Sequence, residues 1–534
     1  KTINDFGSTT NMTLPVDADT GIPANDFCRQ QAFYDLLLKS NPTNDQILYA
    51  GGIDLFRSTN GGTSWTQISK WSNNNNLAGL SCSLVHADQH GLAFKPNDSN
   101  IAVFGNDGGV YYASDLSTSG TTGTISARNA NLNITQYYSV GVSPTTSGLA
   151  GDNFVAGAQD NGSHLFTNAN VASPSPGTSI QGGDGAYSMF DQGTDRYTIT
   201  NYVYNASINY RSSGGTYRVI NSESATNTGA FIAPMALDSS LDVLYSDYTN
   251  GTTYQIARYK NLKTGVVNKL ILTNALLTSS ATALTVSKYT TASTTLLVGT
   301  RLGKILKITN ANLVAIWSEI INPNSVGSIS DIEYGASENE IFVTYHNYGV
   351  VSVWYSNNGG STWQNKEGDL PDLPVKCILQ NPLNTEEVII GTELGVWRTG
   401  NFSSATPQWV QSYNGMRNVK VVDMDLRNDN RVFAATYGRG IFSGLFTSAA
   451  ALSNEEIKAK FESLALIDYT KKGKMNTTKK ANEWLEDIST PEVTEPTLIL
   501  LFFLLLFYVN MYLLVPKLLF RNKYVLYCMS ILGI

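Results

Sequence analysis

Hydrophobic and polar positions repeat in a β pattern along most of the chain. Each repeat has a short alternating run, a turn near Pro or Asp, a second run of β-branched or aromatic residues, and a Gly-rich turn. The first copy runs from Leu36 to Ser58, and the second runs from Leu92 to Tyr111. Alternation bounded by turn residues predicts β-strands, and the lack of a helical period between the copies argues against a βαβ layout.

The turns of these repeats are regularly spaced, about 46 to 54 residues apart, which is the length of one four-stranded propeller blade. A lone four-stranded sheet of this length cannot bury both faces, so it needs a similar neighbour on each side. We therefore predict an all-β fold: a β-propeller of about nine four-stranded units over residues 31–446, either one large propeller or an incomplete tandem pair. The predicted turns fall at Pro42, Pro96, Pro144, Asp191, Asp238, Lys288, Ala336, Pro382 and Arg427.

The two ends of the chain differ from this pattern. The chain starts at Lys1 without Met and stops inside an apolar run, so we expect a fragment of a longer protein. A basic connector with Lys517, Arg521 and Lys523 predicts that the propeller lies outside the cytoplasm. The predicted segments are an irregular lead-in (1–30), a polar helical linker (447–497), a transmembrane helix (498–515) and the start of a second transmembrane helix (524–534).

Composition narrows the classes of partner and compartment. Charged residues make up 15% of the chain, against about a quarter in typical soluble proteins. The formal net charge of −7 argues against nucleic acid as a partner, because no basic stripe is present to neutralise phosphates. Cys28, Cys82, Cys377 and Cys528 have no metal-ligand spacing, and at most one disulfide is expected among the first three. We predict an extracytoplasmic, secreted or cell-surface protein.

Two segments about 300 residues apart share the pattern Ser-x-Asn-x-Gly-x-Ser/Thr-Trp. In a hairpin turn, the Asn side chain can bond the backbone two residues further on, and Gly supplies a left-handed conformation. We expect the Trp to pack between blades. A degenerate third copy spans Arg211–Tyr217. The predicted structural residues are Ser58, Asn60, Gly62 and Trp65 in the first segment, and Ser356, Asn358, Gly360 and Trp363 in the second.

Over residues 30–446 the sequence resembles the Asp-box, or bacterial neuraminidase repeat, superfamily, which includes sialidases, the sortilin-type Vps10 propeller and xyloglucan-cleaving tandem propellers. Three stretches, Phe33–Leu36, Val85–His90 and Asn131–Tyr138, are more closely similar to secreted Bacteroidetes surface proteins labelled as glycosyl hydrolases. The resemblance implies that the Asp boxes are structural turns away from any active site. The Arg-Ile-Pro signature of sialidases does not occur.

One cluster of ionisable residues is His86, Asp88 and His90. Alternate residues of an extended strand share a face, so these three side chains are predicted to point together. Two imidazoles and a carboxylate on one face suit a divalent metal or proton transfer. The alternative is that they satisfy one another and nearby backbone groups in the propeller channel. No other cofactor is predicted.

Acidic residues also recur at Gly-rich strand ends, at Asp107, Asp160 and Asp184. If the blades superpose, these turns gather at one mouth of the propeller. Glycoside hydrolysis needs two carboxyl groups about 5–10 Å apart, so the three aspartates are candidate catalytic residues. The alternative is that each aspartate only bonds the backbone of its own hairpin.

Three functions remain open. The leading hypothesis is a surface propeller that binds a glycan, polysaccharide or surface protein. The second is a glycoside hydrolase similar to the xyloglucan-cleaving family. The third is a ligand-sensing ectodomain of a membrane signalling protein, because the tail resembles the membrane segments of sensor histidine kinases that partner LytTR-type regulators. Met475 would also serve as the start of a separate protein, so a joined reading frame is a further alternative for the tail.

Overall fold

The strands form a series of antiparallel meanders, each made of consecutive strands of the chain. The computed structural model describes residues 9–448 apart from 146–150, 170–173, 224–227, 325, 413–415 and 417. We number the meanders as sheets I to IX. Sheet I contains β1 (Leu37–Ser40), β2 (Leu48–Gly51), β3 (Leu55–Ser58) and β4 (Thr66–Gln67). Sheet II contains β7 (Gln89–Lys95), β8 (Asp98–Asn106), β9 (Gly109–Ala113) and β10 (Ile125–Ala127).

Sheets III to V follow the same order of strands. Sheet III contains β11 (Ser139–Val142), β12 (Asp152–Ala158), β13 (Gly162–Ala169) and β14 (Thr178–Gln181). Sheet IV contains β15 (Gly185–Phe190), β16 (Thr198–Tyr202), β17 (Ser207–Arg211) and β18 (Tyr217–Ser222). Sheet V contains β19 (Met235–Asp238), β20 (Val243–Asp247), β21 (Ile256–Lys260) and β22 (Asn268–Leu272).

Sheets VI to VIII are also four-stranded. Sheet VI contains β23 (Ala281–Val286), β24 (Leu296–Thr300), β25 (Ile305–Thr309) and β26 (Ile316–Ile320). Sheet VII contains β27 (Ile329–Tyr334), β28 (Ile341–Tyr345), β29 (Val353–Ser356) and β30 (Gln364–Asn365). Sheet VIII contains β31 (Val375–Gln380), β32 (Val388–Thr392), β33 (Gly395–Thr399) and β34 (Val410–Ser412).

Sheet IX has three strands, β35 (Val421–Leu426), β36 (Arg431–Thr436) and β37 (Ile441–Leu445). A small parallel pair, β5 (Ser69–Lys70) and β6 (Ser83–Leu84), connects sheets I and II. Two short 3₁₀ helices span Asn75–Gly79 and Val203–Asn205. The all-β class and the four-stranded antiparallel unit are confirmed, and every turn predicted from the sequence lies at or directly after the end of the first strand of its sheet.

Neighbouring sheets fall into two groups. Most neighbours pack through their first strands, whereas sheets IV and V meet through an apolar cluster that includes Ile208 and Leu244. Strands β1 and β7 pack together and join sheets I and II. Sheets III to IX form a second group, in which β11, β15, β19, β23, β27, β31 and β35 are the first strands. Strand β35 of sheet IX also packs against β11 of sheet III, so the contacts in this group return to their starting point.

The return contact is made by backbone and side-chain hydrogen bonds. The Tyr137 N–H donates to the carbonyl of Thr436 at 3.0 Å. Asp423 Oδ2 accepts the N–H of Val140 at 2.9 Å, and Asp425 Oδ2 accepts the N–H of Val142 at 2.8 Å. These partners lie 283 residues apart in the sequence. Strands β35 and β11 belong to different sheets and do not form a backbone ladder. Two carboxylates of β35 therefore accept backbone N–H groups of β11 instead.

Apolar side chains fill most of the spaces between neighbouring sheets. One cluster joins sheets V and VI through Tyr245 and Leu296, and another joins sheets III and IX through Phe154 and Phe433. Sheets III and IV meet differently, through backbone: a Cβ on Gly157 would lie 2.0 Å from the carbonyl oxygen of Ala186. Glycine is therefore required where β12 approaches β15.

Cys28, Cys82 and Cys377 are buried and free. Among the residues that the structure describes, no helix has the length and apolar character needed to cross a bilayer. The predicted linker and transmembrane segments after residue 448 lie outside the described part of the chain.

Candidate functional site

The six ionisable residues that the sequence analysis singled out lie close together where sheet II meets sheet III. His86 and Asp88 precede β7, and His90 lies within it. Asp107 occupies the β8–β9 hairpin, Asp160 occupies the β12–β13 hairpin, and Asp184 directly precedes β15. Hairpins between second and third strands and connections between sheets lie at the same end of a meander. With Asp35, which precedes β1, we call these residues the junction cluster: Asp35, His86, Asp88, His90, Asp107, Asp160 and Asp184.

Asp107 is held by two side chains from sheets I and II. His90 Nε2 lies 2.6 Å from Asp107 Oδ1, and the Tyr34 hydroxyl donates to Asp107 Oδ2 at 2.8 Å. The Tyr34 and His90 rings meet edge to face with centroids 4.8 Å apart. Asn161 Nδ2 donates to the carbonyl of Asp107 at 3.0 Å, which ties this hairpin to sheet III.

Asp160 is bonded through its backbone from both sides. His86 Nε2 lies 2.8 Å from the Asp160 carbonyl oxygen, and the Asp160 N–H donates to Asp184 Oδ1 at 3.2 Å. Asp160 has a φ of 60°, a left-handed conformation that Asp tolerates better than most residues. Its carboxyl group lies with those of Asp88 and Asp107, each supplying one oxygen within 4.8 Å of the others.

Asp35 and Asp88 form the buried side of the cluster. Asp35 is fully buried at 0% exposure, and neither of its carboxyl oxygens has a hydrogen-bond partner among the described residues. Asp88 is 8% exposed, and Gln31 Nε2 donates to its Oδ1 at 3.3 Å. The two carboxyl groups are electrostatic neighbours and interact through their side chains.

Burial and mutual repulsion raise the pKa values of Asp35, Asp88 and Asp160. Burial raises the pKa of Asp160 to about 8, and the Asp184 carboxyl group adds to the shift. Burial raises the pKa of Asp35 to about 7, with a further contribution from the charge of Asp88. The pKa of Asp88 is raised by burial and then by Asp107. Like charges placed together and removed from water favour a bound proton or a bound cation.

A cleft of about 1260 Å³ opens beside the cluster and is lined by residues of sheets II, III and IX. Asp107, Asp160 and His90 form part of its wall. Aromatic side chains form another part, and two of them are well exposed: Tyr34 at 51% and Tyr437 at 38%. The cleft therefore combines aromatic faces with carboxylate, amide and hydroxyl groups.

The segment His86–His90 adopts a different conformation from the one expected. We predicted an extended strand with His86, Asp88 and His90 on one face, but β7 begins only at Gln89 and Asp88 has a φ of 64°. The backbone turns at Asp88, so strand alternation does not group these side chains. His86 instead reaches Asp160 in sheet III, and His90 reaches Asp107.

Tyr34 and Asp35 were not among the site residues predicted from the sequence. They lie in the irregular segment before β1, where no periodic pattern marks a functional side chain. The available signal was the stretch Phe33–Leu36, one of those with the closer resemblance to secreted surface proteins.

The two Asp boxes form equivalent hairpins between the third and fourth strands of sheets I and VII. Ser356 Oγ accepts the N–H groups of Asn358 at 3.3 Å and of Gly360 at 2.8 Å. Asn358 Oδ1 accepts the N–H of Thr362 at 2.9 Å. In the first box, Ser58, Asn60, Gly62 and Ser64 make the same bonds at 3.3, 2.9 and 2.9 Å.

The tryptophans of the two boxes lock these hairpins to the preceding part of the chain. Trp363 Nε1 donates to the carbonyl of Ile321, which follows sheet VI, at 2.6 Å. Trp65 Nε1 donates to the carbonyl of Thr13 in the lead-in at 2.8 Å. The lead-in thus contacts the Asp-box hairpin of sheet I in the same way as the segment after sheet VI contacts the Asp-box hairpin of sheet VII. Both boxes lie at the opposite end of the meander from the junction cluster.

A second group of acids lies on the first strands of sheets VII and IX. These inner-strand carboxyls are Asp331, Glu333, Asp423 and Asp425. Burial raises the pKa of Asp331 and Asp423 to about 7 and that of Asp425 to about 6. Each of these three aspartates accepts a backbone N–H from the first strand of the next sheet, as Asp331 Oδ2 does from Ile378 at 3.0 Å. Their role in the described structure is to join strands.

No protein-family model matches this chain, and no curated protein matches its sequence significantly. The resemblance to the Asp-box superfamily therefore remains a prediction based on the two box motifs and the three stretches described above.

Proposed function

We propose that this protein is an extracytoplasmic β-propeller that binds a neutral glycan in the cleft beside the junction cluster. Sheets III to IX form a closed seven-bladed propeller in this proposal, and sheets I and II are two blades of a second propeller. The contact between β35 and β11 supports closure, since it joins the last sheet of the series to the first. The separate packing of β1 against β7 supports the second group.

The single observation that carries glycan binding is the composition of the cleft wall. Sugar rings present apolar C–H faces and many hydroxyl groups, so their sites combine aromatic rings with convergent polar groups. Here Tyr34 and Tyr437 are exposed beside Asp107 and Asp160, and the run Asn129–Tyr138 adds further amide and hydroxyl groups. A cleft of about 1260 Å³ has room for several sugar units.

The charge of the cleft favours neutral glycans over acidic ones. Among the described residues that line it there is no Lys or Arg, whereas Asp107, Asp152 and Asp160 are present. A sialic acid carboxylate would find no Lys or Arg side chain to pair with among the described residues of the cleft wall. This charge pattern supports a neutral polysaccharide as the ligand class.

The test is binding of the full chain to an array of neutral and acidic glycans. We expect binding to neutral glycans, with Tyr437→Ala weakening it at least tenfold because the substitution removes an exposed ring from the cleft. Tyr348→Ala is the matched control, since Tyr348 is also exposed, at 65%, but lies outside the cleft. Absence of binding to any glycan, or equal binding by both variants, would reject the proposal.

Glycoside hydrolysis is a second candidate, favoured by the proximity of Asp107 and Asp160, whose carboxyl groups approach within 4.8 Å in one cleft. Retaining enzymes place two carboxyl groups about 5 Å apart. We rank it below binding because both oxygens of Asp107 already accept hydrogen bonds. Release of reducing ends by the wild type that is abolished in Asp160→Asn would favour hydrolysis, and bound glycan recovered intact would exclude it.

A further inference from the structure

Three carboxyl groups from separate hairpins and connections meet at the junction of sheets II and III. Asp88, Asp107 and Asp160 each place one oxygen within 4.8 Å of the others. Oxygen ligands lie about 2.3–2.6 Å from a bound Ca²⁺ ion, so three oxygens this close to one another can contact the same ion.

A fourth carboxyl group, that of Asp35, lies beside Asp88 on the buried side of the cluster. Asp35 has 0% exposure, neither of its oxygens forms a hydrogen bond of normal geometry with a described residue, and the like-charged Asp88 is its neighbour. A buried ionised carboxylate without a donor is costly unless a positive charge lies nearby. Such a group is stabilised either by a bound proton or by a cation beside it.

The side chains of the described structure supply little of that charge. Of these four acids, only Asp107 forms an ion pair within the described residues, and its partner is His90. Asp88 accepts one hydrogen bond from the neutral amide of Gln31. The cluster therefore holds more negative charge than its described neighbours balance.

We propose that Asp88, Asp107 and Asp160 bind a Ca²⁺ ion, with Asp35 supplying a fourth negative charge behind Asp88. Carboxylate oxygens are the ligands that Ca²⁺ prefers, and calcium tolerates irregular geometry better than Mg²⁺. The imidazoles serve as supports instead of ligands, since His90 holds Asp107 and His86 holds the backbone of Asp160. The ion links sheet II to sheet III.

The cation site shares Asp107 and Asp160 with the wall of the cleft, but it is measured without any glycan. The full chain is stripped of metal with EDTA and titrated with CaCl₂ by calorimetry. A second titration uses Tb³⁺, because nearby tyrosines such as Tyr34 sensitise the luminescence of a bound Tb³⁺ ion. We expect one Ca²⁺ per chain, a higher melting temperature in CaCl₂, and displacement of Tb³⁺ by Ca²⁺. No heat and no thermal shift at millimolar CaCl₂ would overturn the proposal, and would mean that the acids share protons instead.

Variants locate the site. Asp88→Asn and Asp107→Asn should each weaken Ca²⁺ binding at least tenfold, because each replaces a charged ligand by a neutral one. Asp425→Asn is the matched control: it neutralises a carboxyl group of the inner-strand set and should bind Ca²⁺ as the wild type does. If circular dichroism shows that Asp88→Asn does not fold, the Ca²⁺ affinity of Asp107→Asn, a substitution at the cleft wall, tests the site instead. Unchanged affinity in the variants, or displacement of Ca²⁺ by equimolar Zn²⁺, would reject the assignment.

Glycan binding and calcium binding can fail separately. Loss of glycan binding with Ca²⁺ affinity intact rejects only the proposed function. Absence of Ca²⁺ binding with glycan binding intact in EDTA rejects only the cation site.

Discussion

At the scale of single residues, two serines in distant hairpins perform the same task. Ser58 and Ser356 are buried, at 1% and 0% exposure, and each accepts two backbone N–H groups within its own turn. The glycines at the fifth position of each box have a φ of 86°. Asn holds the other side of the turn, so the motif encodes a complete set of local hydrogen bonds. This is why sequence alone could identify both hairpins.

Replacing the serine of a box should destabilise the fold. In Ser356→Ala the N–H of Gly360 loses its acceptor in a buried position, and a buried unsatisfied donor costs about 1–3 kcal/mol. We expect the free energy of unfolding to fall by that amount in a denaturant titration. Ser361→Ala is the control, because Ser361 is an exposed residue of the same hairpin. An equal effect of the two substitutions would contradict the role assigned to Ser356.

The junction cluster shows what the sequence could and could not predict at this scale. Asp107, Asp160 and Asp184 were expected to gather because each follows a Gly-rich strand end, and the structure does place them together. We expected strand alternation to place Asp88 on one face with His86 and His90. That expectation was wrong, because the backbone turns at Asp88. Asp35 lies in an irregular segment, and its electrostatic neighbours Asp88 and His90 are distant from it in the sequence.

At the scale of elements, the first strands of neighbouring sheets are joined by side chains. Strand β35 uses Asp423 and Asp425 to bond β11, and β27 uses Asp331 to bond β31. The position of these strands and their turns followed from the periodic pattern. The acids on them did not stand out, because an alternating carboxylate in a strand usually indicates a solvent-exposed face.

These inner-strand carboxyls should make stability depend on pH. The pKa values of Asp331 and Asp423 are about 7 in the folded state, above the ordinary value near 4, because of burial. The folded state then holds more protons than the unfolded state between about pH 4 and pH 7. The free energy of unfolding therefore falls as pH rises through this window. Glu333, Tyr187, Lys288 and Cys377 are the other titratable groups in this region.

The substitution Asp423→Asn tests this dependence. The Asn oxygen still accepts the N–H of Val140 but does not titrate, so about 1–2 kcal/mol of the loss between pH 4 and pH 8 should disappear, after allowance for water screening. Asp423→Ala should instead lower stability at every pH, and the exposed Asp45→Asn should change nothing. Denaturant titrations at several pH values measure these effects. An unchanged slope in Asp423→Asn would refute the assignment.

At the scale of the whole molecule, the number of units could be predicted, but the choice between one large propeller and an incomplete tandem pair could not. The repeat length predicted nine units, and the residues that the structure describes form nine meanders. The contact between β35 and β11 depends on single side chains 283 residues apart, which no local pattern reveals. The same is true of the division between sheets I and II and sheets III to IX.

This division predicts unequal protection of the two groups from hydrogen exchange. Each of sheets III to IX packs against a sheet on both sides, whereas sheets I and II share one interface and rely on the lead-in and the junction cluster for the rest. Fewer packed faces mean a lower free energy of local opening. We expect peptides from β1–β3 and β7–β9 to exchange faster than those from β11–β13 and β35–β37, as measured by mass spectrometry.

Calcium provides the internal control for that measurement. If Ca²⁺ joins Asp88 and Asp107 to Asp160, adding CaCl₂ should slow exchange selectively around β7, the β8–β9 hairpin and the β12–β13 hairpin. The strands β23–β30, which carry none of these ligands, should exchange at the same rate with and without the ion. Uniform protection of all nine sheets in EDTA would show that sheets I and II are as firmly held as the others. The two groups would then form a single cooperative unit, and the division drawn from the contacts between first strands would have no thermodynamic counterpart.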